Sequence, residues 1–240
     1  MFTKDHTAKM YDQDLDSIRS RVLLMGGLVE NQIRSAIAAF SEGDADKADA
    51  IDTEDHRVNA LEVAIDLDCA QIIARRQPAA VDLRMLMGIS KIVTDLERCG
   101  DEAAKIARMT RTIYSRDMCR VSCITDVRDM GNLAVEMLRT ALDTFVRQDA
   151  IEAANIVRED LEIDGKFKGI TRQLITFMME DPRMISSALE IMLIAKAVER
   201  IGDHAKNIAE QVIYIVRGTD VRHVAIDRLE LEAKGENRHG

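Results

Sequence analysis

The sequence predicts an all-α protein built as two tandem, pseudo-symmetric three-helix bundles, six long antiparallel helices in all. Composition is the first observation behind this. Of the 240 residues, 47% are hydrophobic but only 3% are aromatic, with 12 glycines and two prolines. Strands favour aromatic and β-branched residues bounded by turn signals, so this profile favours helices. Periodicity is the second observation, because apolar residues recur at helical spacing almost without a break. The third is an internal repeat. Glu97-Arg98-Cys99-Gly100-Asp101 returns 102 residues later as Glu199-Arg200-Ile201-Gly202-Asp203. Phe40, Asp44 and Asp55 return as Phe145, Asp149 and Asp160, and Met25-Gly26-Gly27-Leu28 as Met130-Gly131-Asn132-Leu133, each 105 residues on. A chain that repeats itself at this length is two copies of one unit.

The pattern places helices over residues 9–41, 45–76, 79–115, 118–147, 150–180 and 184–217. Asp44 and Asp149 are N-cap candidates, and Asp149 has Glu152 three residues on, as in a capping box. Pro78 and Pro182 fall where a first helical turn tolerates proline, since the missing N–H has no helical partner there. Helices of this length would run about 50 Å at 1.5 Å per residue. Three of them joined by short loops pack as an antiparallel bundle. The first bundle is residues 1–116 and the second 117–218, with the join near Arg116–Met118 and no flexible linker. Residues 219–240 lose the period and become charged, which suggests a mobile tail.

A net charge of −9 and a pI near 5.2 argue against nucleic-acid binding. The opening MFTKDHTAKM has no apolar run and so does not read as a signal peptide. The stretch Ala188 to Val198 is too short and too charged to span a bilayer. A soluble, cytoplasmic protein is expected. Of the four cysteines, Cys99 takes the place of Ile201 and reads as a small core residue. Cys119 and Cys123 have no further Cys or His pair to complete a zinc site.

The acidic residues carry the chemistry. Glu97 and Asp101 share one helix face, as do Glu199 and Asp203. Like charges at that spacing cost about 0.2–0.5 kcal/mol even when exposed. In an antiparallel hairpin, residues equidistant from the turn lie level. Asp160/Asp164 and Glu199/Asp203 are equidistant from the Asp181–Pro182 turn, and Asp55/Asn59 and Glu97/Asp101 from Pro78. The second repeat therefore gathers four carboxylates, and the first gathers three and an amide. Asp160 also occupies a core position in the stripe Ile156, Asp160, Ile163, Phe167, Ile170, Leu174, Phe177. A buried carboxylate must be protonated, paired or metal-bound. Glu199 and Asp203 flank the stripe of the sixth helix. Gly100 and Gly202 lie on their stripes, where a helix or an ion can approach closely.

Residue chemistry leaves two readings open. One is a hard or borderline cation such as Mg²⁺, Mn²⁺ or iron, which all-oxygen donor sets suit. The other is an interhelical salt-bridge network in which Arg98 and Arg200 neutralise the acids. A ferritin-like oxidase would need Glu-x-x-His on two helices, and the chain has none. His204, next to Asp203, is expected to face solvent.

These motifs carry a resemblance. Asn59-Ala60-Leu61-Glu62-Val63-Ala64-Ile65-Asp66, Arg75-Arg76-Gln77-Pro78, Asp82-Leu83-Arg84 and Leu96-Glu97-Arg98-Cys99-Gly100-Asp101 resemble the PhoU family of phosphate-signalling regulators. So do Val157-Arg158-Glu159-Asp160, Arg172-Gln173-Leu174, Met178-Met179-Glu180-Asp181, Glu199-Arg200-Ile201-Gly202-Asp203 and Arg222-His223. The resemblance spans nearly all of residues 1–223. It implies metal clusters of Mg, Mn, Fe or Zn at Asp55, Asn59, Glu97, Asp101, Asp160, Asp164, Glu199 and Asp203. Asn59 departs from the family's acidic pattern, which implies a weaker first site or one that prefers a different ion. It further implies a negative regulator of the phosphate regulon that modulates phosphate transport. Such a protein would bridge the ATPase subunit of the phosphate ABC transporter and a sensor histidine kinase, reach the membrane only through partners, and form a homodimer. The competing expectation is a metal-dependent, carboxylate-bridged enzyme. No nucleotide loop, nucleophile with a base or catalytic histidine in the sequence supports it.

Overall fold

The computed structural model describes residues 3–115 and 123–236. These residues form α1 (Thr3–Glu42), α2 (Ala45–Arg76), α3 (Ala80–Ser115), α4 (Ile124–Arg147), α5 (Ala150–Glu180), α6 (Ile185–Arg217) and α7 (Ile226–Lys234), with a 3₁₀ turn at Pro182–Met184 between α5 and α6. No strand occurs among them. The expected join near Arg116–Met118 lies outside the described residues.

Helix ends follow from local chemistry. Gly43 and its repeat counterpart Gln148 both take left-handed backbone, at φ 73° and 53°. The next amide bonds back to the last turn in each repeat, Asp44 N to Ala39 O and Asp149 N to Thr144 O, each at 3.0 Å. This is the glycine-type helix stop. Asp44 and Asp149 then start α2 and α5 by accepting from the backbone amides of Lys47 and of Ile151 and Glu152. The capping box at Asp149 is only half formed. The Glu152 carboxylate accepts from Asn155 Nδ2 at 2.8 Å, and Asp149 N is already committed to Thr144.

The helices pack as a ring of four, α1, α3, α6 and α4, with α2 against α1 and α3 and α5 against α4 and α6. Both repeats share a single hydrophobic core. Helices α3 and α6 run antiparallel: Arg84 meets Gly218, Gly88 meets Ile215, Asp95 bonds His204 and Glu102 bonds Arg200. This register puts Gly100 and Gly202, equivalents in the two repeats, at the same height on the pseudo-twofold axis. Helices α1 and α4 cross in the same way. A Cβ on Gly26 would stand 2.4 Å from Leu142 Cδ1, and one on Gly131 would stand 2.7 Å from Ile37 Cδ1. Ile37 and Leu142 are themselves repeat equivalents, so the repeated Met-Gly sequence records one close crossing made twice.

The C-terminal segment differs from the mobile tail expected for 219–240. Helix α7 packs on α5 with Leu229 1% exposed and Ala233 fully buried. Arg158 Nε donates to Glu230 at 2.8 Å, and Arg217 Nε donates to the Ala233 carbonyl at 2.8 Å. A nine-residue helix with two apolar anchors is too short for periodicity to reveal. Residues 237–240 lie outside the described residues.

Candidate metal sites in the two repeats

In the second repeat the hairpin α5–α6 brings Asp160 level with Asp203, as the turn geometry predicts. Asp160 is 5% exposed. Its Oδ1 lies 3.6 Å from where a Cβ on Gly202 would stand. Asp160, Glu199 and Asp203 already have cations here. Lys206 Nζ donates to Asp160 Oδ2 at 2.6 Å and to Asp203 Oδ1 at 2.8 Å. Lys196 Nζ donates to Glu199 at 2.6 Å and lies 5.3 Å from the Phe167 ring centre. Burial alone would lower the Lys206 ammonium, but its bonds to Asp160 and Asp203 outweigh that and hold it above the ordinary lysine range. Burial raises the Asp160 carboxyl, and the Lys206 bond opposes the rise.

The first repeat is built differently. Asn59 Nδ2 donates to Asp55 Oδ2 at 3.3 Å across one helical turn. Asp55 Oδ1 and Asn59 Oδ1 are buried without a hydrogen-bond partner. Among the described residues no lysine holds these acids as Lys206 holds Asp160; the positive charges acting on them are Arg98 on Glu97 and Arg108 on Asp101. Burial raises the Glu97 carboxyl, and Asp101, Glu62 and Asp55 raise it further. Burial and then Asp55 raise Asp101. Helix α1 adds a residue that the hairpin geometry does not reach. Gln32 is fully buried, and neither its amide nitrogen nor its oxygen has a partner. Leaving such a group unsatisfied costs about 1–3 kcal/mol. Its Oε1 lies 3.2 Å, and Asp55 Oδ1 3.6 Å, from the Cβ position at Gly100.

The expected arginine network does not form at the acids. Arg200 crosses to Glu102 on α3 at 2.9 Å, and Arg98 is exposed. The neutralising role falls instead to Lys196 and Lys206. His204 does not face solvent: its side chain is 15% exposed, and Nδ1 lies 2.9 Å from Asp95 Oδ1. The α3–α6 seam covers it, and the pattern of α6 alone does not show that seam. Cys99 is fully buried with Sγ 4.0 Å from the Ile201 carbonyl, as a core residue should be. Cys123 Sγ meets Gln173 Oε1 at 3.0 Å, while Cys119 lies outside the described residues.

The missed residues had a signal. Aligning the third helices at 102 residues sets Lys196 against Thr94 and Lys206 against Ala104. Aligning the first helices at 105 sets Gln32 against Met137. The chemistry of an oxygen donor set therefore fits a cation in the first repeat, where carboxylates and unpartnered amide oxygens converge. In the second repeat, ammonium groups hold that place. Among the described residues no three His, Cys, Asp or Glu side chains converge closely enough to form a ready-made ion cage. Between the two motifs lies a groove of about 680 Å³ lined by Arg98, Asp101, Arg200, Asp203, Lys206 and Arg222, among others.

Fold and site together define a duplicated three-helix-bundle protein with an acidic cluster at mid-height in each repeat. The PhoU domain model matches residues 22–110 and again 127–212. This chain belongs to the PhoU family. It is 43% identical to the phosphate-specific transport system accessory protein PhoU homolog of Pseudomonas aeruginosa over the whole of both chains. It is 43% identical to the Escherichia coli phosphate-specific transport system accessory protein PhoU, covering 97% of this chain and 95% of that protein. The crystal structure of PhoU from Pseudomonas aeruginosa superposes with a TM-score of 0.84 at 44% identity, covering 87% of this chain and 100% of that one. The phosphate transport system regulatory protein PhoU from Streptococcus pneumoniae gives 0.81 at 29% identity, covering 88% and 99%.

Proposed function

We propose that this chain is a non-enzymatic, cytoplasmic regulator of phosphate homeostasis. In this reading it is a negative regulator of the phosphate regulon that modulates high-affinity phosphate transport. It works as an adaptor between the ATPase subunit of the phosphate ABC transporter and a sensor histidine kinase, and it acts as a homodimer. The observation that carries the reading is the full-length match, through both repeats, to proteins named as accessory proteins of phosphate-specific transport. No helix among the described residues is long and apolar enough to cross a membrane, so contact with the transporter would run through its soluble parts. Ile185, Leu189 and Leu193 are exposed at four-residue intervals along α6. Such a stripe suits helix-on-helix docking.

The first acidic cluster, Asp55, Asn59, Glu97 and Asp101, would hold a divalent or iron-type cation; the second, Asp160, Asp164, Glu199 and Asp203, would do so only where the ammonium groups of Lys206 and Lys196 give way. A bound cation would supply positive charge that ties the second helix of a repeat to the third. The protein's own residues position the donors: Gly100 leaves room above α3, and the α2–α3 hairpin sets Asp55 level with it.

The test is deletion of the gene in its host. Alkaline phosphatase and phosphate uptake should become constitutively high in phosphate-rich medium. Normal repression in the deletion strain would overturn the regulatory reading.

A further inference from the structure

We infer that the two acidic clusters have divided their labour: the first binds an exogenous hard divalent cation with Gln32 as an added donor from α1, and the second carries its cations built in as Lys206 and Lys196. This rests on the reading that the acidic clusters are cation sites, and it concerns which cluster is one in this chain.

The repeats differ around these clusters in one consistent sense. Where the first has Gln32 the second has Met137, 1% exposed. Where the first has Val58, 3.6 Å from the Cβ position at Gly100, the second has Ile163, whose Cδ1 comes to 2.7 Å of the Cβ position at Gly202. Where the first has Thr94 and Ala104, the second has Lys196 and Lys206. Each difference gives the second repeat less room, fewer oxygen donors or more positive charge. An ion arriving there would have to displace an ammonium held by two carboxylates.

The first cluster has the opposite problem. Gln32 is fully buried with both amide atoms unpartnered, and Asp55 Oδ1 and Asn59 Oδ1 beside it are also unpartnered. Three orphaned oxygens, Gln32 Oε1, Asp55 Oδ1 and Asn59 Oδ1, gather beside the carboxylates of Glu97 and Asp101. Oxygen donors of this kind suit Mg²⁺ or Mn²⁺. Glu97 is half-buried and Asp101 exposed at the edge of this cluster. The ion would draw them in, which is why no tight cage stands ready. The charge count also reverses the expectation drawn from Asn59. Three carboxylates without an ammonium attract a cation more strongly than four that share two.

The test titrates the full-length, EDTA-stripped protein with Mn²⁺ by calorimetry, with melting curves as a second readout. Asp55→Asn should weaken Mn²⁺ binding by about tenfold or more, and Gln32→Met, close in volume, by about threefold to tenfold. Asp203→Asn should leave affinity within roughly twofold. Lys206→Met should add a second class of Mn²⁺ site. An equal loss in Asp55→Asn and Asp203→Asn, or an unchanged Gln32→Met, would overturn the division of labour while leaving the cation reading standing. No Mn²⁺ binding by the wild type, with the variants still folded by circular dichroism, would overturn both.

Discussion

Replacing Lys206 with methionine isolates the built-in cation of the second repeat. Methionine keeps most of the alkyl stem and its packing, so the change removes charge more than volume. Two bonds are lost. The one to Asp160 leaves a carboxylate that is 5% exposed without a partner. The one to Asp203 leaves a side chain 42% exposed, which water can solvate. Breaking a fully buried pair costs about 3–5 kcal/mol, and breaking a surface pair about 0–1. Lys206 is itself one quarter exposed, so the expected loss lies between these limits, at about 2–3 kcal/mol. In a chain of this size that lowers the melting temperature by about 4–12 °C. The pH dependence has a definite sign. Burial raises the Asp160 carboxyl, and without Lys206 nothing opposes the rise. The lost stability should be largest above that raised value and should vanish on acidification below the ordinary carboxylate range, where Asp160 is protonated folded and unfolded alike. Asp160→Asn in the Lys206→Met background should recover most of the loss. Urea denaturation in EDTA at pH 3 and pH 8 measures both. A loss under about 0.5 kcal/mol at pH 8, or an equal loss at both pH values, would refute the assignment of Lys206 as the counter-ion of a buried carboxylate.

Three further outcomes follow from the same geometry. Glu97 is raised by burial and then by Asp101, and Asp101 by burial and then by Asp55, so without a cation their contribution to stability is present below the ordinary carboxylate range and lost as pH rises through the raised values. Added Mn²⁺ should therefore raise the melting temperature more at pH 8 than at pH 5, and a larger gain at pH 5 would contradict this. At the α1–α4 crossing, Gly26→Ala should cost about 1–3 kcal/mol, because its methyl would press on Leu142. Gly27→Ala, with nothing within 4 Å of the new methyl, should gain up to about 1 kcal/mol from helix propensity. Denaturation of the two single variants checks the pair. Burial pushes Glu210 up to about 7, so Glu210→Gln should stabilise the protein by about 1 kcal/mol at pH 8, after allowance for solvent screening, and by little at pH 5. Melting curves of that variant at the two pH values decide it.

Most of the architecture was legible because it rests on local rules. Asp44 and Asp149 cap their helices as their type and position require. Asp160 lies in the buried stripe of α5, and the mirror rule across the Asp181–Pro182 turn brings it to Gly202. The same rule reaches Lys206, which is level with Val157 and so within one turn of Asp160. The acidic positions alone do not reveal it. Other features depend on contacts between non-adjacent helices. Gln32 reads as an ordinary polar residue on α1 until α1 is laid against the α2–α3 hairpin. His204 reads as exposed until α3 covers α6. Helix α7 is held by two apolar anchors, Leu229 and Ala233, too few to stand out from a charged segment.

The seam between α3 and α6 shows why the two clusters came apart. A true twofold axis would make every pair across it twice. Arg200 bonds Glu102, but the mirror of that pair joins Arg98 to His204, two basic groups that gain nothing from meeting. His204 bonds Asp95 instead, and the mirror of that pair joins Glu102 to Ala197, which has no charge to offer. Arg98 is accordingly left exposed. At the seam, as at the clusters, the first repeat supplies acids (Asp95, Glu102) and the second supplies bases (Arg200, His204). The divergence at Thr94/Lys196 and Ala104/Lys206 runs the same way. At these positions the positive charge lies in the second repeat. Glu102 is met across the seam by Arg200 and on its own helix by Lys105, whereas the first cluster has Thr94 and Ala104 where the second has Lys196 and Lys206. A cation from solution would supply there the charge that Lys196 and Lys206 supply in the second repeat.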